Sequence, residues 1–175
     1  FSYGFLESSL HAIFPVYALR NDFNLSMVSI ILAAFSTGGI LSQLPLGALS
    51  DRIGRRKVVL FALFGGAFSF SFAALLEHNL WTLVFAFLLA GLFVGSTFSL
   101  GISYMTDLTP KALLPTGNLL CGIFFSIGSL TGPFMGGVFL QFFEGFSFLW
   151  LVSLFLLSLS FLSLIKPKKQ QVHSM

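Results

Sequence analysis

Charge is what this chain has least of. Only 9% of its 175 residues are Asp, Glu, Lys or Arg, against about 25% in soluble domains. So few charges cannot cover a water-facing surface, and a mean hydropathy of +0.95 makes the bilayer the expected solvent. The single cysteine, Cys121, excludes an internal disulfide and carries no redox information. The histidines and Cys121 do not cluster at metal-ligand spacing, so neither a metal nor a cofactor is expected. Nucleophile elbow and phosphate-binding loop are both missing, since glycines such as Gly65-Gly66 sit inside apolar runs. An enzyme is therefore not expected, and ATP-driven transport would require a soluble domain that these loops cannot hold. The net charge of +3 comes from cations at helix ends and in the tail rather than on one face, which argues against a nucleic-acid partner. No charged leader precedes Phe1, so a signal peptide is not expected, and the chain reads as part of something longer.

Long apolar runs are what the chain has instead. A membrane-spanning helix needs about 20 mostly apolar residues. Six segments qualify, at about 2–19, 27–49, 58–76, 80–105, 116–143 and 146–165. The runs are too long and too continuous to alternate as strands. The expected fold is an all-α membrane protein, with a bundle over 1–165 and a basic tail over 166–175. Short connections make successive helices antiparallel neighbours. The 24 phenylalanines read as lipid-facing or packing side chains.

Orientation follows from the cations. Arg52, Arg55, Arg56, Lys57, Lys111, Lys166, Lys168 and Lys169 fall on one side, and Arg20 alone on the other. The positive-inside rule makes the crowded side cytoplasmic. With six crossings both termini are cytoplasmic, and the expected location is the plasma membrane. Asn24-Leu25-Ser26 matches a glycosylation sequon but lies too close to two helix ends to be read as one.

The segment Gly47-Ala48-Leu49-Ser50-Asp51-Arg52-Ile53-Gly54-Arg55-Arg56-Lys57 packs four cations and an acid between two apolar runs. It reads as a short loop with Asp51 at the end of the second helix, where the helix dipole disfavours an acid. Asp51 therefore needs partners: Arg52, Arg55, Arg56, or the start of the fifth helix. Asp107 opens the 107–115 loop where it can meet this basic segment. Gly47 and Gly54 are expected to serve close packing and a tight turn.

This segment resembles the conserved loop of the major facilitator superfamily, Gly-x-Leu-x-Asp-Arg-x-Gly-Arg-Arg-Lys. A second stretch, Gly128-Ser129-Leu130-Thr131-Gly132-Pro133-Phe134-Met135-Gly136-Gly137, resembles the superfamily's antiporter-associated Gly-x-x-x-Gly-Pro-x-x-Gly-Gly pattern. Leu119 stands where the full pattern has a glycine. Gly128, Gly132, Pro133, Gly136 and Gly137 would make that helix closely packed and bendable. The resemblance implies a secondary transporter that moves a small solute by alternating access. In it Gly47, Asp51, Arg52, Gly54, Arg55 and Arg56 would form a breakable latch, and six helices would pair with another six-helix half or a second copy. The fourth helix lacks the arginine usual in the N-terminal half, and a basic tail follows the sixth. Both point to the C-terminal half of a twelve-helix fold.

Glu7 and His11 stand four apart in the first helix, with Pro15 on the same face. A carboxylate and an imidazole at this spacing could share a proton, so proton coupling is assigned to them. Gln43, Asn118 and Tyr17 are candidates for the substrate cavity, and Phe-rich walls favour efflux of drug-like or metabolite solutes. The alternative is a non-transporting receptor, scaffold or assembly protein on the same bundle.

Overall fold

The structure is a computed structural model describing residues 1–76, 79–143 and 147–164. Seven α-helices account for nearly all of them: α1 Ser2–Arg20, α2 Leu25–Ile53, α3 Arg55–Leu75, α4 Leu80–Val94, α5 Thr97–Leu108, α6 Leu114–Phe142 and α7 Phe148–Leu164. A 3-10 turn, Lys111–Leu113, leads into α6. No strand occurs among the described residues. Four helical stretches are long and apolar enough to cross a membrane: α2, α3, the α4–α5 rod over Leu80–Leu108, and Lys111–Phe142. The tail 166–175, Glu77, His78, Glu144 and the expected ends of the last helix at 146 and 165 lie outside the described residues.

The helix ends follow local chemistry. The Asn24 side chain accepts a hydrogen bond from the Met27 N–H at 2.9 Å, so this sequon residue is a helix cap. Asn79 does the same for the Trp81 N–H at 3.0 Å. Pro115 sits in the first turn of α6, where its missing N–H leaves no helical bond unmade.

Two expectations are corrected. The 50–57 segment is not a loop: α2 continues to Ile53, α3 starts at Arg55, and Gly54 alone joins them at φ 99°. Charged side chains at the watery end of a helix do not end it; the left-handed backbone that glycine tolerates does. The fourth helix is not continuous either. Gly95-Ser96 interrupts it as a turn within one apolar stretch, with Ser96 (φ −89°, ψ −1°) at the edge of the right-handed region.

Glycine lets the main pairs approach. A Cβ on Gly91 would overlap the Phe35 carbonyl oxygen of α2, and one on Gly38 would overlap the Leu88 carbonyl of α4. Gly128 and Gly132 in α6 stand in the same way against the carbonyls of Phe1 and Phe5. Each of three helix pairs also carries one serine–serine hydrogen bond. Ser8 meets Ser129 between α1 and α6, Ser42 meets Ser96 at 2.8 Å beside the break, and Ser71 meets Ser153 at 2.6 Å between α3 and α7. Counting the α4–α5 rod as one element, the principal pairings are α2 with the rod, α1 with α6, α3 with the rod and α3 with α7.

Phe14, Phe70, Phe87 and Phe148 are fully buried at the centre, and the Phe14 and Phe87 rings lie 4.6 Å apart. By contrast α6 buries only Gly128, Gly132, Gly136 and Leu140, a single stripe four residues apart that faces α1. Much of the rest of α6, including Leu130 and Phe134, is exposed apolar surface, which suits lipid or another helical layer.

Candidate functional site

Three helix ends meet around Arg55. Asp51 lies in the last turn of α2, and Asp107 in the last turn of α5. A carboxylate is disfavoured at either place, because a helix C-terminus is already partly negative. Arg55 opens α3, where a cation is disfavoured in turn. Each charge is wrong for its own helix and right for its neighbour. Arg55 Nη2 lies 3.2 Å from Asp51 Oδ1, and its Nε lies 2.5 Å from Asp107 Oδ2. The Arg55 side chain is 25% exposed, against 65% for Asp51 and 52% for Asp107. Exposed pairs of this kind contribute about 0.2–1 kcal/mol each.

Arg56 takes a different direction. Its Nη2 donates to the carbonyls of Ser163 at 2.6 Å and Leu164 at 3.3 Å, closing the end of α7. Arg52 is exposed. Of the expected partners of Asp51, Arg55 is the one the structure supplies. A Cβ on Gly47 would meet nothing within 4 Å, so no packing inside the described chain requires that glycine.

In α1 the expected pair separates. The His11 Nδ1–H donates to the Glu7 backbone carbonyl at 2.8 Å, not to its carboxylate. A carbonyl one turn back lies within easy reach of a helical imidazole, and the ring takes it. The Glu7 carboxylate instead accepts from the Tyr3 hydroxyl at 3.5 Å. Tyr3 stacks on Phe98 of α5 at 5.9 Å and on Phe125 of α6 at 6.3 Å. A groove of about 350 Å³ opens beside it, with Thr97, Phe98, Gly101 and Phe124 in its walls. Sequence reasoning missed Tyr3 as the partner of Glu7, although its spacing of four residues was a signal.

The proposed cavity residues differ in burial. Gln43 on α2 and Asn118 on α6 are exposed. Tyr17 is 8% exposed, its ring 6.4 Å from Phe14 and 6.3 Å from Phe148, and so belongs to the core. The glycine motif of α6 does come together. Gly128, Gly132 and Gly136 face α1, and a Cβ on Gly136 would stand 2.8 Å from Ile13 Cγ1. Gly137 has only an ordinary contact with Ile13, and the helix runs unbroken through Pro133.

The Major Facilitator Superfamily model matches residues 1–174. The chain belongs to this superfamily. The superfamily is one of transporters rather than enzymes. It is 51% identical over 170 residues to the uncharacterized MFS-type transporter YfkF of Bacillus subtilis, covering 96% of this chain and 43% of that relative. It is 32% identical over 109 residues to the class H tetracycline resistance protein of Pasteurella multocida, covering 62% of this chain and 27% of that one. Over 112 residues it is 30% identical to the arabinose-proton symporter of Bacillus subtilis, covering 63% of this chain and 24% of the symporter. The chain thus spans less than half the length of these superfamily relatives.

Proposed function

We propose that this chain forms six membrane crossings and acts as the C-terminal half of a twelve-helix secondary transporter in the plasma membrane. Both of its termini face the cytoplasm, and the second half of the solute pathway comes from another six-helix unit. The transporter moves a small solute by alternating access, driven by protons, and efflux of a drug-like or metabolite solute is favoured. Two relatives, a tetracycline resistance protein and an arabinose-proton symporter, support efflux and proton use respectively.

The observation that carries the reading is the bridge from Asp51 through Arg55 to Asp107. It ties the ends of α2, α3 and α5 with partly exposed pairs weak enough to break in each cycle. That is what a conformational latch needs, and a static scaffold gains little from it. Glu7 is the proposed proton carrier, with Tyr3 rather than His11 holding its carboxylate.

Everted vesicles containing the full-length protein test this with tetracycline, ethidium and arabinose as probes. Uphill movement of one of the first two is expected, and dissipating the proton gradient is expected to abolish it. Persistence of the gradient-free signal would remove proton coupling. Accumulation of arabinose alone would remove the preference for drug-like solutes. Asp51→Asn is expected to slow transport by up to about fivefold with normal chromatographic behaviour, equivalent to at most about 1 kcal/mol on the barrier. An unchanged rate would remove the latch.

A further inference from the structure

Beside the Arg55 bridge lies a groove of about 540 Å³, walled by Ile53, Leu60, Tyr104 and Leu164 and charged by Arg55, Arg56, Lys57 and Asp107. Its charge is out of balance. Arg55 takes both carboxylates, Asp51 and Asp107, so with Arg56 and Lys57 the cluster keeps one net positive charge. Arg56 donates to two carbonyls, which satisfy its N–H groups but leave its positive charge uncompensated. Lys57 is exposed and forms no ion pair among the described residues.

We propose that this groove binds the phosphate of an anionic phospholipid. Lys57 and Arg56 take the headgroup, and Ile53, Leu60 and Leu164 receive the start of an acyl chain. Three observations choose a lipid over a soluble anion. The first turn of α3 and the last turn of α7 both end at this groove, which sets it at headgroup depth. Its non-charged walls are mainly apolar, so a water-soluble phosphate would leave them wet. The uncompensated cations sit at a helix end in an apolar protein, where basic clefts between helices recruit anionic headgroups. A zwitterionic choline lipid carries its own cation to the same place and gains less. The Arg55 pairs stay intact, so the lipid would tie α3 to α7 next to the bridge without opening it.

The test uses the full-length protein in nanodiscs of phosphatidylcholine alone or with phosphatidylglycerol. Phosphatidylglycerol is expected to raise the unfolding temperature, and Lys57→Gln to lose most of that rise. Lys57→Arg is expected to restore it, and Lys111→Gln, an exposed cation outside the groove, to keep it. A photoactivatable phosphatidylglycerol is expected to label peptides containing Leu60 and Tyr104 several-fold more in the wild type than in Lys57→Gln. Equal losses in Lys57→Gln and Lys111→Gln would overturn the site in favour of diffuse surface attraction. Labelling spread evenly over the helix ends would do the same, and so would an equal temperature rise from soluble glycerol phosphate.

Discussion

At the scale of single residues, similar side chains in one short motif have separate jobs. Arg55 and Arg56 are adjacent, yet the first binds two carboxylates and the second closes a distant helix. The difference is helical phase: neighbouring positions point about 100° apart on a helix of 3.6 residues per turn. The motif named the participants, but only the direction of each side chain assigned them partners. The same limit split Glu7 from His11, because spacing alone does not tell whether an imidazole takes a carboxylate or the backbone carbonyl beneath it. If Glu7 carries the proton and Tyr3 steadies it, Glu7→Gln should abolish uphill transport while leaving solute exchange across the membrane. His11→Gln should leave uphill transport within about twofold. Paired uphill and exchange assays in vesicles would check this, and equal damage from both substitutions would return the proton to a shared pair.

At the scale of helices, small residues set the spacing and serines add directional bonds. Glycine in this fold marks contact only where backbone faces backbone. Gly91→Ala would press a methyl group against the Phe35 carbonyl and is expected to cost about 1–3 kcal/mol. Gly122→Ala, which meets nothing within 4 Å, is expected to be neutral or slightly stabilising. Unfolding of both variants in detergent would measure the difference, and equal melting would show that α2 and α4 separate without penalty. Removing the Ser42–Ser96 bond in a double-mutant cycle should give a coupling of about 0.6 kcal/mol, typical of side-chain hydrogen bonds between membrane helices. The long helices were legible in the sequence because twenty apolar residues in a row admit few other structures. Their ends were less legible. Charges at 50–57 looked like a loop, although solvated charges are compatible with a helix end. The break at Gly95-Ser96 had no charge or proline to announce it, and the serine that bonds across it lies more than fifty residues earlier in the chain.

At the scale of the whole chain, the asymmetry of cations predicts an orientation, and glycine and serine on particular helix faces select the partners of each helix. Those partners were not legible in the sequence, because they depend on which helix faces carry glycine and serine. If the chain crosses the membrane six times, single cysteines placed at Lys111 and Asp22 in a Cys121→Ser background should react with an impermeant thiol reagent from opposite sides. Labelling of both from the same side would break the six-crossing arrangement and with it the cytoplasmic placement of the latch.

Gly54 gives this architecture a mechanical property. It is the only residue between two long rods, one of 29 residues and one of 21. At 1.5 Å per residue these reach about 44 Å and about 32 Å from a common pivot. Tilting the longer rod by about 5° around that pivot carries its far end sideways by about 4 Å, close to the width of a methylene chain. The bridge at Arg55 is anchored within a few residues of the pivot, where the same tilt moves atoms by only a fraction of an ångström. A breakable bridge at this fulcrum, as proposed for Arg55, would accompany a displacement about ten times larger at the far end of α2.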